Sequence, residues 1–195
     1  MYSDVKPIHL QRINPDMSTN STKINQIEAQ IVQGLQSEDD SAVLKAIKKA
    51  RSKGTEKVIP AMFEVYANSK NSSVKEAVTK LLQELKSTSA IDPLIDQLSS
   101  PHENCRILAL SAIWNSGLDV NDYIDEIVQT VINGDFQEAF EALTIIENLE
   151  PPFDEEVILN SQLMLNQYFN KNTPAEKDSL VKEIASIINR IGQQI

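Results

Sequence analysis

The chain has 195 residues but only one cysteine, so no disulfide can form within it. A lone thiol fits a reducing compartment such as the cytoplasm. Aromatic residues make up 5% and there are five glycines. No window alternates apolar and polar residues in the way a half-buried strand does. No stretch approaches the roughly 18 apolar residues of a membrane span, and the N-terminus lacks the apolar core of a secretion signal, so no membrane partner is expected. Glycine-rich phosphate loops and nucleophile–histidine motifs are missing. His9, His102 and Cys105 share no metal-ligating spacing. These absences lead to the expectation of a non-enzymatic chain with no metal and no cofactor.

Basic residues are missing from one region. Between Ile107 and Asn170 there is no Lys or Arg against 12 Asp and Glu, whereas Ser41–Lys86 holds 10 Lys and Arg against 4 Asp and Glu. The whole chain carries a net charge of −10. That argues against nucleic acid as a partner, because phosphate neutralisation supplies most non-specific affinity. The unequal halves are either solvated surfaces or faces for a partner of reverse polarity. A second copy in antiparallel orientation, giving a homodimer, is one such partner.

What the chain does have is helical periodicity. Cys105, Leu108, Ala109, Ala112, Ile113 and Ser116 fall at i, i+3, i+4, i+7, i+8 and i+11, one face of a helix. Ser100, Pro101 and Glu103 read as N-cap, N1 and N3 of that helix, and Gly117 as its left-handed stop. Similar second helices are expected over Ser41–Lys53, with Val43, Ala46, Ile47 and Ala50 inward, and from Ser73 to about Lys86. Another should carry Phe136, Ala139, Phe140, Ala142, Leu143 and Ile146 inward, and a last one runs up to Gly192. Ser73 with Glu76, Asp135 with Glu138, and Thr173-Pro174 with Glu176 are further expected caps. First helices alternate with these: Lys23 to about Gln36, Thr55–Asn68, Ile91–Leu98, Asp119 to about Asn133 and Phe153 to about Asn170. Residues 1–22 show no helical period and read as a flexible tail. The apolar Tyr2, Val5, Ile8, Leu10 and Ile13 offer an alternative, folding over the first core layer.

Ala46, Ala77, Ala109 and Ala139 recur at spacings of 31, 32 and 30, and Ile184 takes the matching place in a fifth unit. Stacked repeats need such a register, because each helical pair can bury its apolar face only against its neighbours. The expectation is an all-α superhelix of about five helical hairpins over residues 23–195.

Residues 90–117 resemble a HEAT repeat of the short kind found in bilin-lyase-like families. The resemblance rests on Ala90, Pro93, Leu94, Ile95, Leu98, Pro101, Arg106, Ala109, Ala112, Ile113 and Gly117. Ser100, Cys105 and Ser116 depart from the usual Asp, Val and Leu. The resemblance implies a right-handed solenoid, a scaffold or adaptor that binds a protein or peptide on its concave inner-helix face. Two enzymatic alternatives follow from the same resemblance, a bilin lyase or isomerase and a HEAT-like DNA glycosylase. No tetrapyrrole site is marked in the sequence, and the glycosylase reading has only a lysine cluster behind it.

Two surface features stand out. Ile107, Leu110 and Trp114 form a second apolar stripe on the central second helix, which either packs against a neighbour or anchors a partner. Lys45, Lys48 and Lys49 line the polar side of an earlier second helix and form the basic part of the candidate partner surface.

Overall fold

The computed structural model describes residues 15–170 and 174–195. Ten helices follow one another, and among the described residues there is no strand. They are α1 (Pro15–Leu35), α2 (Asp40–Lys53), α3 (Ile59–Asn68), α4 (Ser72–Gln83) and α5 (Ile91–Asp96). Then come α6 (Glu103–Ser116), α7 (Ile124–Asn133), α8 (Phe136–Glu147), α9 (Glu155–Phe169) and α10 (Asp178–Gly192). Consecutive helices pair into five hairpins. The even-numbered helices pack in sequence, α2 on α4, α4 on α6, α6 on α8 and α8 on α10. The odd-numbered helices form the other layer, with α1 on α3, α3 on α5 and α7 on α9. The 3-10 turn Gln97–Ser99 after α5 reaches α7 and completes that row.

The repeat register is visible in the core. Ala46, Ala109, Ala139 and Ile184 are buried and Ala77 is half-buried, one in each successive hairpin. All six residues of the expected α6 face, Cys105 to Ser116, are buried. The odd layer contributes Ile59, Met62, Phe63, Leu94, Ile124, Ile127 and Ile158. Small residues on the even helices let the layers approach, and the larger side chains fill the space between them.

The first helix begins earlier than its spacing predicts. It starts at Pro15, so residues 15–22 belong to it and not to a tail. Proline suits a first helical position, where its missing N–H would be unpaired in any case. The tail reading for residues 1–14 lies outside the described residues.

Two expected N-caps among the described residues are not used. Asn71 caps α4, its side chain accepting from Ser73 N at 2.9 Å, so Ser73 is inside the helix. Asn is as good a cap as Ser, and it comes first in the chain. Ser100 does not cap α6. It closes the 3-10 turn before it, and its hydroxyl accepts from His102 N at 3.3 Å. The helix begins at Glu103, after His102, without a side-chain cap. The Asp135–Glu138 capping box forms as expected. Thr173 lies outside the described residues, and α10 begins at Asp178. Gly117 takes the left-handed conformation at φ 63°, where its N–H bonds back to Ile113 O and Trp114 O.

Candidate functional site

The even-helix layer carries the exposed aromatic residues. Trp114, near the end of α6, is 47% exposed; on the neighbouring α8, Phe136 is 43% and Phe140 53% exposed. Phe136 and Phe140 fit a core spacing, but the helix turns its buried side through Glu138, Ala139, Ala142, Ile145 and Ile146 instead. The small alanines are buried in the stack, and the two phenylalanines are left exposed. Ile107 is half-buried. It stands five residues after its N-cap His102, as Phe140 stands five after Asp135, so the two share a level on adjacent helices.

Leu110 does not belong to this surface. It is fully buried, so the expected stripe of Ile107, Leu110 and Trp114 is split. An even helix in the middle of the stack touches two even neighbours as well as the odd layer, and Leu110 faces into that packing while Trp114, one turn further, emerges.

Trp114 also forms one wall of a cavity of 330 Å³ between the C-terminal ends of α6 and α8. Asp119, Asn121, Thr144, Asn148 and Glu150 contribute its polar lining. Asn121 is buried to 7% exposure and anchors the loop after α8, its amide donating to Glu150 O at 2.7 Å and Pro152 O at 2.9 Å. Its backbone N–H donates to the Asp119 carboxylate at 3.1 Å.

The lysines sit two and three helices away from the aromatic patch. Lys45 and Lys48 are exposed on α2 and make no hydrogen bond or ion pair with the described residues. Lys49 is half-buried and donates to Gln30 Oε1 at 2.6 Å, which ties α2 to α1. The structure therefore leaves Lys45 and Lys48 available and gives Lys49 a structural bond.

Three charged or polar groups that periodicity did not single out hold the region behind the patch. Glu138 is fully buried; one oxygen receives Arg106 Nε from α6 and the other accepts from Asp135 N at 2.7 Å. The Glu138 carboxylate raises the Arg106 guanidinium pKa above its ordinary value. Lys177 is 7% exposed and donates to Val131 O at 2.7 Å, Ile132 O at 2.8 Å and Gly134 O. It caps the C-terminus of α7 from the start of α10. Desolvation pulls its pKa down, while Glu138 and Asp135 oppose that shift. Only an Asp-x-x-Glu cap followed by an isolated lysine hints at this cluster in sequence.

Two further groups are held within the packing. Cys105 is buried, its thiol 3.8 Å from Phe63 O, and burial pushes its pKa up and away from reactive thiolate. The Tyr123 hydroxyl donates to Asp92, which pushes its pKa up to about 12. Among the described residues no group of His, Cys, Asp and Glu is placed to hold a metal ion.

The paired layers, the 31-residue register and the left-handed glycine after α6 all describe one kind of repeat. A family model described as HEAT repeats matches residues 28–114, from the middle of α1 to Trp114. Over those residues, a little under half of its length, the chain is similar to HEAT repeats. The finer likeness to bilin-lyase-like repeats is not part of that match. Neither the curated proteins nor the solved structures give a match. Past the matched residues the same layering continues, with α7 against α8 and α9 against α10. No helix among the described residues is long and apolar enough to cross a membrane.

Proposed function

We propose that this HEAT-repeat chain is a non-enzymatic adaptor that holds a protein or peptide partner against its even-helix layer, around Trp114 and Phe140. The single observation behind this reading is the exposure of Trp114, Phe136 and Phe140 on two adjacent helices in a chain with so few aromatics. Exposed aromatic residues that are rigidly mounted are the usual anchors of protein interfaces. HEAT repeats in general serve such scaffolding, and the long row of parallel helix faces suits an extended partner. Lys45 and Lys48 extend the same layer toward the N-terminus and add a basic stretch for acidic residues of the partner.

The test is affinity capture from native lysate with chemical cross-linking, comparing the parent chain with Trp114→Ala, Phe140→Ala and a charge reversal at Lys48 and Lys49. Partner cross-links that map to α6 and α8, with capture reduced at least about tenfold by either aromatic change, support the proposal. Unchanged capture by both aromatic variants sinks it.

A further inference from the structure

The space between the ends of α6 and α8 differs from the equivalent space one repeat earlier. There Lys86, three residues past the end of α4, sends its Nζ to Asn115 O at 3.3 Å and Ser116 O at 2.8 Å. A lysine of the chain thus offsets the negative C-terminal end of α6. One repeat on, the residue three past the end of α6 is Asp119. Among the described residues no Lys or Arg donates to the end of α8, and the 330 Å³ cavity takes the place of the side chain.

On the lining of that cavity, Asn121, Thr144 and Asn148 spend their side-chain donors within the chain. Both hydrogen bonds of the Asn121 side-chain nitrogen run to backbone carbonyls, at Glu150 and Pro152. The Thr144 hydroxyl donates to Phe140 O at 3.2 Å, and the Asn148 amide to Thr144 O at 2.8 Å. The Asn121 side-chain oxygen receives no bond from any described residue, although the residue is buried to 7% exposure. Among the described residues no fully enclosed side-chain oxygen lacks a partner, so this one keeps some access to solvent, and its residue lines the cavity. Asp119, Glu150 and the half-exposed Trp114 lie on the same lining. Fixed acceptors, an aromatic wall and a helix C-terminus together call for a cation with several donors.

We propose that this cavity receives an arginine side chain of the partner polypeptide. The guanidinium lies against Trp114 and donates to the Asn121 side-chain oxygen and to Asp119, supplying at α8 what Lys86 supplies at α6. A planar fork with five donors fits separated acceptors beside an aromatic face better than a compact ammonium does. The absence of any Lys or Arg from Ile107 to Asn170 leaves nothing within that region to compete for the place. This inference rests on the proposed adaptor role, since it needs a polypeptide passing Trp114.

Trp114 is the only tryptophan, so its emission reports on the cavity directly. The probes are a 12-residue peptide with central arginines, its lysine and glutamine counterparts, arginine amide and spermine. The arginine peptide should change the emission saturably with a Kd below about 1 mM, and the glutamine peptide should not. Asp119→Asn, which keeps an acceptor for Asn121 N, should weaken binding about tenfold. Asp119→Lys, which supplies an internal ammonium, should abolish it, with circular dichroism confirming the fold. An equal response to the glutamine peptide, no saturable response, or undiminished binding by folded Asp119→Lys overturns the proposal. A lysine peptide as tight as the arginine one removes the arginine assignment. Spermine or arginine amide as tight as the peptide replaces the polypeptide with a small cation. Capture lost with Phe140→Ala but intact with Asp119→Lys keeps the adaptor reading and rejects this one. Capture unaffected by the aromatic variants rejects the adaptor reading, while the titration still decides whether the cavity takes a cation.

Discussion

The hairpins on either side of α6 solve the same packing problem with opposite chemistry. In the basic region, repeats are tied together by exposed cationic side chains, one of which, Lys57, reaches the buried Glu28. Arg51 pairs with Glu84, Lys57 with Glu28 at 3.6 Å, and Lys86 reaches the end of α6. The acidic region has no cation of its own after Arg106. It is tied by neutral donors, such as Asn121 to the loop after α8, and by two cations at its borders, Arg106 and Lys177. Both border cations bond to buried groups, whereas Arg51 and Glu84 keep 43% and 46% of their side-chain surface in water. The difference teaches that HEAT-type stacking is indifferent to the sign of the surface charge but not to where the charge is buried. Exposed pairs contribute little, and buried ones cannot lose a partner cheaply.

The sharpest way to break that comparison is Glu138→Ala. It removes the acceptor of Arg106 and of Asp135 N together, inside the packing of α6 and α8. A loss of about 3 kcal/mol is expected, against less than about 1 kcal/mol for Arg51→Ala. Urea unfolding followed by circular dichroism measures both. Equal losses would mean that burial does not separate the two regions. Lys177→Met comes next, at about 2 kcal/mol, because three backbone carbonyls lose their donor while the aliphatic stem is kept. Hydrogen exchange should show the loss concentrated in α10 and the end of α7. A uniform loss of protection along the chain would contradict the local role.

Much of the stack was legible in sequence, and the residues that were not share a cause. The face of α6, the inward residues of α2, the alanine register and the αL turn at Gly117 follow from a 3.6-residue period and from glycine's freedom at positive φ. Leu110, Phe136 and Phe140 did not, because an even helix is flanked on two sides and periodicity cannot tell a flank that is covered from one that is bare. Leu110 lies on a covered flank, whereas on α8 the alanines are buried and Phe136 and Phe140 are bare. The cavity at Asp119 and the bonds of Lys177 depend on which loops meet across repeats, with partners up to 46 residues apart. A one-dimensional pattern holds no record of them.

Caps give a smaller test, on the basic side. Two candidates stand two residues apart, and only the first is used: Asn71 accepts from Ser73 N. Asn71→Ala should cost about 1 kcal/mol, and Ser73→Ala should stay within about 0.5 kcal/mol. Asn71 also donates to Asp40 on α2 at 2.6 Å, an exposed bond that adds little in water. If Ser73→Ala proved the costlier change, α4 would start where its sequence pattern suggests and not where Asn71 places it.

The smallest expected effect separates the regions by pH. Desolvation, and then a hydrogen bond with Asp125, push the Glu126 carboxyl up to about 7, and desolvation raises that of Glu141 on α8. A carboxyl whose pKa is raised on folding binds its proton more tightly in the folded state. Its contribution is therefore complete below the unfolded pKa of 4.5 and is lost as pH rises through about 7. Glu126 is exposed in part, so solvent screening limits the gain to under about 1 kcal/mol. Lowering the pH from 8 to about 5.5 should raise exchange protection in α7 and α8, with α2 and α4 as the internal reference. Added salt at pH 8 distinguishes the causes. Salt screens repulsion among the 12 carboxylates of Ile107–Asn170 but does not rehydrate Glu126. Protection restored fully by salt would assign the effect to repulsion, and protection restored only by acid would assign it to the desolvated carboxyls.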